Sequence, residues 1–224
     1  MRFTKAHGSG NDFVVLPDWE DRLELTSPLV RALCDRHHGL GGDGVLRVLR
    51  GRDGFDVFMD YRNADGSLAA LCGNGLRVVA QHVIDHGLVR PPDGRLRIGT
   101  RAGTKEVTVR RADDGRVAEV TAELGAPSLD PRDVPFDTDG SEAVALPLTV
   151  GTDRVRLTAV RLGNPHAVVV VEQVDRAPVR SLGPAVERHP RFPERTNVQV
   201  ARENAPGDVT ARVWERGVGE TASS

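Results

Sequence analysis

The stretch that organises the chain runs from residue 61 to residue 77 and reads Tyr61-Arg-Asn-Ala-Asp-Gly-Ser-Leu-Ala-Ala-Leu-Cys-Gly-Asn-Gly-Leu-Arg77. Behind Cys72, apolar residues recur at helical spacing, at Leu76, Val79, Ala80, Val83 and Ile84. Gly87 follows them as a helix terminator. The pattern predicts a helix with Cys72 at its N-terminus. The amides and the dipole of such a first turn stabilise an anion.

Two interpretations of Cys72 follow from this placement. In the simpler one, the cysteine is a small buried hydrophobic residue beside a glycine turn. In the other, its thiol pKa is lowered toward neutrality, or a carboxylate lies over Gly73 and Asn74. Glycines on both sides of Asn74, with the polar Asn63 and Asp65 upstream, favour a functional site because they leave the backbone accessible.

Composition limits the range of functions. The 224 residues suffice for one large domain or two small ones, and the net charge of −2 gives no footprint for nucleic acid or a membrane surface. The sequence has no stretch of signal-peptide or transmembrane character, so we expect a cytoplasmic protein. Cys34 and Cys72 are the only cysteines and form no disulfide framework. We expect Cys34 to be a core residue.

Three further motifs lie in the first half. The loop from His7 to Asp12 is polar, and we expect it to be flexible enough to line a site. The run Gly39-Leu-Gly-Gly-Asp-Gly44 matches a dinucleotide-binding fingerprint in letters only, because it follows a predicted helix and leads into a strand. His82 and His86 have the spacing of a metal pair, but without a third ligand nearby we expect a solvated helix face.

The second half repeats the alternation of strands with a single helix. A segment rich in proline, aspartate and serine, Gly125 to Gly140, separates it from the first. We therefore expect domains at residues 1–124 and 125–224. In the second domain, strands flank Gly163-Asn-Pro-His166, and a helix is predicted from Val179 to His189.

Five ordered motifs resemble those of the diaminopimelate epimerase family. They are Asn63 to Arg77, Gly10-Asn-Asp-Phe13, Gly163-Asn-Pro-His166, Thr196-Asn-Val198 and Glu215-Arg-Gly-Val-Gly-Glu-Thr221, and they span the whole chain. The resemblance implies an α/β (α+β) fold with two pseudo-symmetric domains. Each domain would be a curved, mostly antiparallel sheet or barrel around a central helix, with the site in the cleft between the domains.

The resemblance also implies a function. It is the PLP-independent, two-base epimerisation of LL-diaminopimelate to meso-diaminopimelate, in lysine and peptidoglycan precursor synthesis. The reaction uses no cofactor and no metal. The implied partners are the small-molecule substrate and a second copy of the chain in a homodimer, without nucleic acid or membrane.

Residue roles carry over from the family by motif. Cys72 would be one catalytic acid/base, with Gly73 and Asn74 offering amides to the substrate α-carboxylate. His166 and Glu215 would orient the substrate amine and tune the thiols. The remaining residues would hold the substrate, chiefly its distal end: Asn11, Asn63, Asn164, Asn197 and Arg216.

The sequence departs from the family pattern at two positions. Gly44 stands where the family often has a glutamine, which weakens one contact. Ser224 stands where the family has its second catalytic cysteine, and we expect the second central helix to be absent from this sequence. Because a serine hydroxyl is far less acidic than a thiol, we expect impaired epimerisation.

Alternative functions remain open from the sequence. One is a Cys–His hydrolase with Cys72 as nucleophile and His166 as base. Another is a non-catalytic remnant that binds an amino acid. A third is a relative of the hydroxyproline-type epimerases, although the asparagine set suits a longer substrate with two charged ends.

Overall fold

The computed structural model describes residues 1–52 and 54–222, and it divides into two compact units, Met1–Leu124 and Gly125–Ser224. The described part of the first unit contains seven strands and two helices: β1 Thr4–Gly8, β2 Asn11–Pro17, α1 Ser27–Cys34, β3 Gly44–Arg50, β4 Val57–Asn63, α2 Gly73–Asp85, β5 Arg95–Thr100, β6 Gly103–Arg111 and β7 Val117–Ala122. The described part of the second contains six strands and one helix: β8 Leu146–Val150, β9 Asp153–Leu162, β10 Asn164–Val170, α3 Val179–Glu187, β11 Asn197–Ala205, β12 Asp208–Glu215 and β13 Gly219–Thr221.

Each unit is built on one curled sheet whose strands follow chain order. Most neighbours are antiparallel. The exceptions are the parallel pairs β2–β3 and β4–β5 in the first unit and β10–β11 in the second. Helix α1 connects β2 to β3, and α3 connects β10 to β11, so the two units repeat the same local topology. The predicted fold class, a pair of pseudo-symmetric α/β units with mostly antiparallel sheets, is confirmed.

Helix α2 forms the centre of the first unit. Its apolar residues Leu76, Val79 and Val83 are completely buried in a cluster that includes side chains from several strands of the sheet. The chain leaves the helix through Gly87, whose φ of 65° is the left-handed conformation that glycine adopts without strain. The helix predicted from the spacing of apolar residues is therefore present, with Cys72 as its N-cap.

Two expectations about the first unit were wrong. The segment from His7 to Asp12 is a tight hairpin rather than a flexible loop, because Ser9 and Gly10 both adopt positive φ and β2 already begins at Asn11. His82 is buried rather than solvated, and its ring lies 4.2 Å from that of the exposed His86. Burial, reinforced by the nearby His86, lowers the pKa of His82 to about 4, so it packs as a neutral side chain.

In the second unit α3 packs against β11 and β12, and Val186 of α3 and Val198 of β11 belong to its buried core. Gly183 of α3 faces Trp214, near the end of β12, and a Cβ on this glycine would lie 2.5 Å from the Trp214 Cγ. The Trp214 indole N–H donates to the buried Glu187 carboxylate at 2.8 Å. Trp214 immediately precedes Glu215, so this packing sets the position of a predicted site residue.

We predict that Gly183→Ala destabilises the protein although alanine favours a helix. The lost clearance from Trp214 should cost about 1–3 kcal/mol, which exceeds the gain in helix propensity of about 1 kcal/mol. The matched control is Gly140→Ala, because a Cβ there comes no closer than 3.4 Å to its neighbours. Chemical denaturation would measure both free energies of unfolding. Equal stability of the two variants would contradict the packing described.

Candidate active site

The predicted site residues of the first unit lie at one edge of its sheet. Asn11 begins β2 and Gly44 begins the parallel strand β3, so both lie at the same edge. Asn63 ends the antiparallel strand β4 and pairs directly with Gly44. The order of antiparallel and parallel pairs thus brings residues 52 positions apart in sequence, Asn11 and Asn63, to one end of the sheet.

The segment that carries the chain from Asn63 to Cys72 is fixed by hydrogen bonds to backbone carbonyl oxygens. The Arg101 guanidinium donates to the carbonyl oxygens of Tyr61 and Ala69, at 3.0 and 3.4 Å. The amide of Ala102 donates to the carbonyl oxygen of Ala70 at 3.2 Å. These contacts hold the start of α2 beside the sheet edge, which explains why Cys72 occupies a defined position.

The Cys72 sulfur lies between a backbone donor and a side-chain acceptor. The Gly75 amide donates to Sγ at 3.3 Å, and the thiol donates to Asn11 Oδ1 at 3.8 Å. The residue is buried, with 5% of its surface exposed. The amide of a first helical turn stabilises a thiolate, whereas the asparagine carbonyl stabilises the protonated thiol.

The other predicted residues of this unit have defined contacts. Asn63 is buried, and its side-chain amide donates to Ser67 Oγ at 3.0 Å. The Asn74 side-chain oxygen accepts a hydrogen bond from Arg77 within the same helix. Gly73 and Asn74 supply the first amides of α2, where the helix end favours a negative group such as a carboxylate.

The second unit gathers its predicted residues by the same topology. Asn164 and His166 lie at the start of β10, and Asn197 begins the parallel strand β11, where it pairs with His166. Glu215 ends the antiparallel strand β12. All four therefore lie at one edge of the second sheet. Each unit brings its own set of predicted residues together.

His166 is neutral near pH 7. Burial lowers the pKa of its imidazole to about 4, with Arg216 contributing in the same direction, although the hydrogen bond with Gln199 acts against it. Gln199 Nε2 lies 2.9 Å from His166 Nδ1. A histidine in this state donates or accepts hydrogen bonds but is a weak base.

The turn after β12 is held by side chains from other elements. Asn197 Oδ1 accepts from the Arg216 amide at 2.8 Å, and the Arg216 guanidinium donates to the Glu194 carbonyl oxygen at 2.9 Å. Glu187, buried in α3, accepts from the Gly217 amide at 3.2 Å. Asn197 thus orients Arg216, the residue that the sequence assigned to the distal end of a substrate.

Sequence reasoning missed two residues that contact the predicted set, Asp43 and Gln199. It also missed Glu187, which bonds Trp214 and Gly217, the residues on either side of Glu215 and Arg216. Asp43 Oδ2 accepts from the Asn11 side chain at 2.8 Å. Its position between two glycines was visible in the sequence, but nothing there indicated a contact with Asn11. Gln199 follows Asn197 by two residues on a strand, so alternation places both side chains on one face. For the helical Glu187, the sequence carried no signal.

The remaining expectations concern Ser224, a metal site and a membrane-spanning segment. Ser224, the expected second catalytic position, lies outside the described residues. Within residues 1–52 and 54–222, no cluster of three or more His, Cys, Asp or Glu side chains could hold a metal ion. The same residues include no helix long and apolar enough to cross a membrane.

The two cysteines should differ sharply in reactivity. Cys34 is buried in a core cluster, as expected, and burial raises the pKa of its thiol to about 11. We predict that the pH midpoint of iodoacetamide alkylation at Cys72 lies below the free-thiol value of about 8.5, because Gly75 and the helix end favour the thiolate. Peptide-resolved mass spectrometry would follow both sites. Faster alkylation of Cys34, or a Cys72 midpoint at or above 8.5, would contradict this assignment.

Two solved structures with this fold cover 99% of the chain at only 16% sequence identity. One is a hydroxyproline epimerase from Agrobacterium vitis with bound trans-4-hydroxy-L-proline, with a TM-score of 0.71 and 72% of that chain covered. The other is a probable proline racemase from Agrobacterium radiobacter, with a TM-score of 0.73 and the same coverage of 72%. At this identity the similarity shows the fold alone.

Sequence comparison is more specific. The family model described as diaminopimelate epimerase matches residues 3–129 and 158–224. The diaminopimelate epimerase of Aromatoleum aromaticum is 45% identical over 223 residues, covering 99% of this chain and 77% of the relative. That of Pelotomaculum thermopropionicum is 39% identical over 223 residues, covering 99% and 78%. The chain belongs to the diaminopimelate epimerase family.

Proposed function

We propose that this protein catalyses the PLP-independent, two-base epimerisation of LL-diaminopimelate to meso-diaminopimelate. The observation that carries the proposal is the position of Cys72 at the N-cap of α2, with the Gly75 amide donating to its sulfur, in a chain of this family. An α-proton of an amino acid is only weakly acidic, so the site must stabilise the charge that develops when this proton leaves.

The first turn of α2 supplies that stabilisation. With the substrate α-carboxylate over the amides of Gly73 and Asn74, the helix dipole stabilises negative charge that spreads into this group in the transition state. The Cys72 thiolate then takes the proton. The C–H bond breaks as the S–H bond forms, and the electron pair remains on the α-carbon and its carboxylate. A proton delivered to the opposite face completes the inversion.

Ser224 is the residue that we assign to this opposite face. A serine hydroxyl is a poor match in pKa for either direction of the proton transfer, and general acid–base catalysis is typically worth about 10²–10⁴-fold. We therefore propose that inversion is slow with Ser224 at this position. Removal and return of a proton by Cys72 alone would still exchange the α-hydrogen without inversion.

We propose that polar side chains of both units bind the rest of the substrate. Asn11, Asn63, Asn164 and Asn197 provide amide groups, and Arg216 a cation for the distal carboxylate. Asn197 supports this proposal because its side-chain oxygen fixes the Arg216 backbone. Glu215 and the neutral His166 are assigned to the substrate amine and to tuning the acid/base groups.

The low pKa of His166 weighs against a Cys–His hydrolase. Such an enzyme needs a histidine that takes a proton from the thiol near pH 7. The pKa of about 4 makes His166 unsuited to that task, since burial disfavours its charged form. A role for His166 as a neutral hydrogen-bonding group agrees with the epimerase proposal.

The biological setting is proposed with the function. As an enzyme of lysine and peptidoglycan precursor synthesis, the protein would work in the cytoplasm on a small molecule. We propose a homodimer and assign no nucleic-acid or membrane partner. The net charge of −2 supports the latter point, because it gives no basic surface excess.

Exchange of the substrate α-hydrogen in D₂O tests the role of Cys72. We predict that the protein incorporates deuterium into diaminopimelate, and that Cys72→Ala lowers this rate by about 10²–10⁴-fold because the base is lost. Cys34→Ala, which removes the core thiol, is the matched control and should retain exchange. NMR and chiral chromatography would measure exchange and inversion separately.

The same assay tests Ser224. The Ser224→Cys variant should raise inversion relative to exchange, because it supplies a thiol on the second face. Equal exchange by Cys72→Ala and Cys34→Ala would refute the proposal, and inactivity of every variant would favour a non-catalytic amino-acid-binding protein. Turnover of 4-hydroxyproline in preference to diaminopimelate would indicate the hydroxyproline-type alternative.

A further inference from the structure

A carboxylate outside the predicted site residues lies directly behind Asn11. Asp43 Oδ2 accepts hydrogen bonds from the Asn11 side-chain amide at 2.8 Å and from the Asp12 backbone amide at 3.0 Å. Its other oxygen, Oδ1, accepts from the Arg36 guanidinium at 2.7 Å. The backbone around Asp43 is also bonded on both sides, to Asp12 and to Ala64. This carboxylate therefore has a fixed position.

The fixed carboxylate determines which way the Asn11 amide points. A side-chain amide has one donor end and one acceptor end, whereas a carboxylate only accepts. The nitrogen of Asn11 must therefore face Asp43, which leaves Oδ1 on the side of the Cys72 sulfur, 3.8 Å away. Asn11 is completely buried, so the opposite orientation would place two oxygen acceptors together without water.

We propose that Asp43 is a positioning residue for the acid/base thiol. By fixing the Asn11 amide, it holds the Asn11 carbonyl oxygen beside Cys72. This oxygen accepts a hydrogen bond from the thiol and so stabilises its protonated form. The proposal rests on the acid/base function assigned to Cys72. It adds a role for a residue that touches neither the sulfur nor, in the assignment above, the substrate.

The arrangement balances two opposite effects on one sulfur. The Gly75 amide donates to Sγ and favours the thiolate, which removes a proton. The Asn11 carbonyl accepts from the thiol and favours the protonated form, which returns a proton. A group that must act both as base and as acid works best when neither form is strongly preferred. Loss of Asp43 would free the amide to rotate and donate to the thiolate instead.

Other charges surround this part of the first unit and must be separated from the effect of Asn11. The neighbouring elements carry the following charged or titratable groups: Lys5 and His7 on β1, Asp12 on β2, Arg31 and Cys34 on α1 with Arg36 beyond it, Arg47 and Arg50 on β3, Asp60, Tyr61 and Arg62 on β4, and Arg77, His82 and Asp85 on α2. The negative charge of Asp43 would itself disfavour a thiolate through space. Asp12 offers a matched control, because its carboxylate also accepts from Arg36, whereas the Asn11 side-chain amide donates to Asp43.

The test compares Asp43→Ala with Asp12→Ala by the pH profile of Cys72 alkylation with iodoacetamide, followed by peptide-resolved mass spectrometry. Burial slows alkylation at every pH, whereas the midpoint reports the thiol pKa. We expect Asp43→Ala to lower the midpoint by about one pH unit, since a hydrogen bond to the neutral form is replaced by one to the charged form. Asp12→Ala should lower it by less than half as much. Equal shifts would overturn the proposal in favour of a through-space charge effect.

A second pair of variants tests the route through Asn11. Asn11→Ala alone should lower the midpoint, and in this background Asp43→Ala should add no more than Asp12→Ala does. An undiminished effect of Asp43→Ala in the Asn11→Ala background would overturn the proposal. If thermal melts show that Asp43→Ala does not fold, an unchanged or raised midpoint in Asn11→Ala overturns it. The unliganded protein is used throughout, so failure of the epimerase proposal would appear separately, in the exchange assay.

Discussion

The candidate site depends on the backbone amides in the first turn of a buried helix. Helix α2 is surrounded by the sheet of the first unit, and its completely buried Leu76, Val79 and Val83 fix it in the core. Its N-terminus, with Cys72 as cap, meets the sheet edge that carries Asn11 and Asn63. Because a rigid helix presents these amides, a sulfur and a carboxylate can be stabilised there without reorganisation.

The sequence predicted this helix because local signals agreed with the tertiary structure. Apolar spacing after Cys72, a terminal Gly87 and alternating strands all pointed the same way. The failures have physical causes. Tertiary packing buried His82 despite its polar character, and positive φ at Ser9 and Gly10 closed a hairpin where a flexible loop was expected.

The grouping of the site residues could not be predicted without knowing the order of the strands. A parallel pair followed by an antiparallel strand places two strand starts and one strand end at the same edge. This occurs at β2, β3 and β4 and again at β10, β11 and β12. The motifs identified the residues, but contacts such as that of Asp43 with Asn11 join segments far apart in sequence. The domain assignment and the catalytic roles remain predictions.

A crystal structure of the protein with an unreactive diaminopimelate analogue would test most directly whether the start of α2 binds the substrate carboxylate. We predict that the analogue's α-carboxylate accepts hydrogen bonds from the Gly73 and Asn74 amides, at about 2.7–3.2 Å. We also expect Cys72 Sγ within about 3.5 Å of the α-carbon, a geometry ready for proton transfer. A carboxylate bound away from the start of α2, or a Cys72 sulfur out of reach of the α-carbon, would contradict the account.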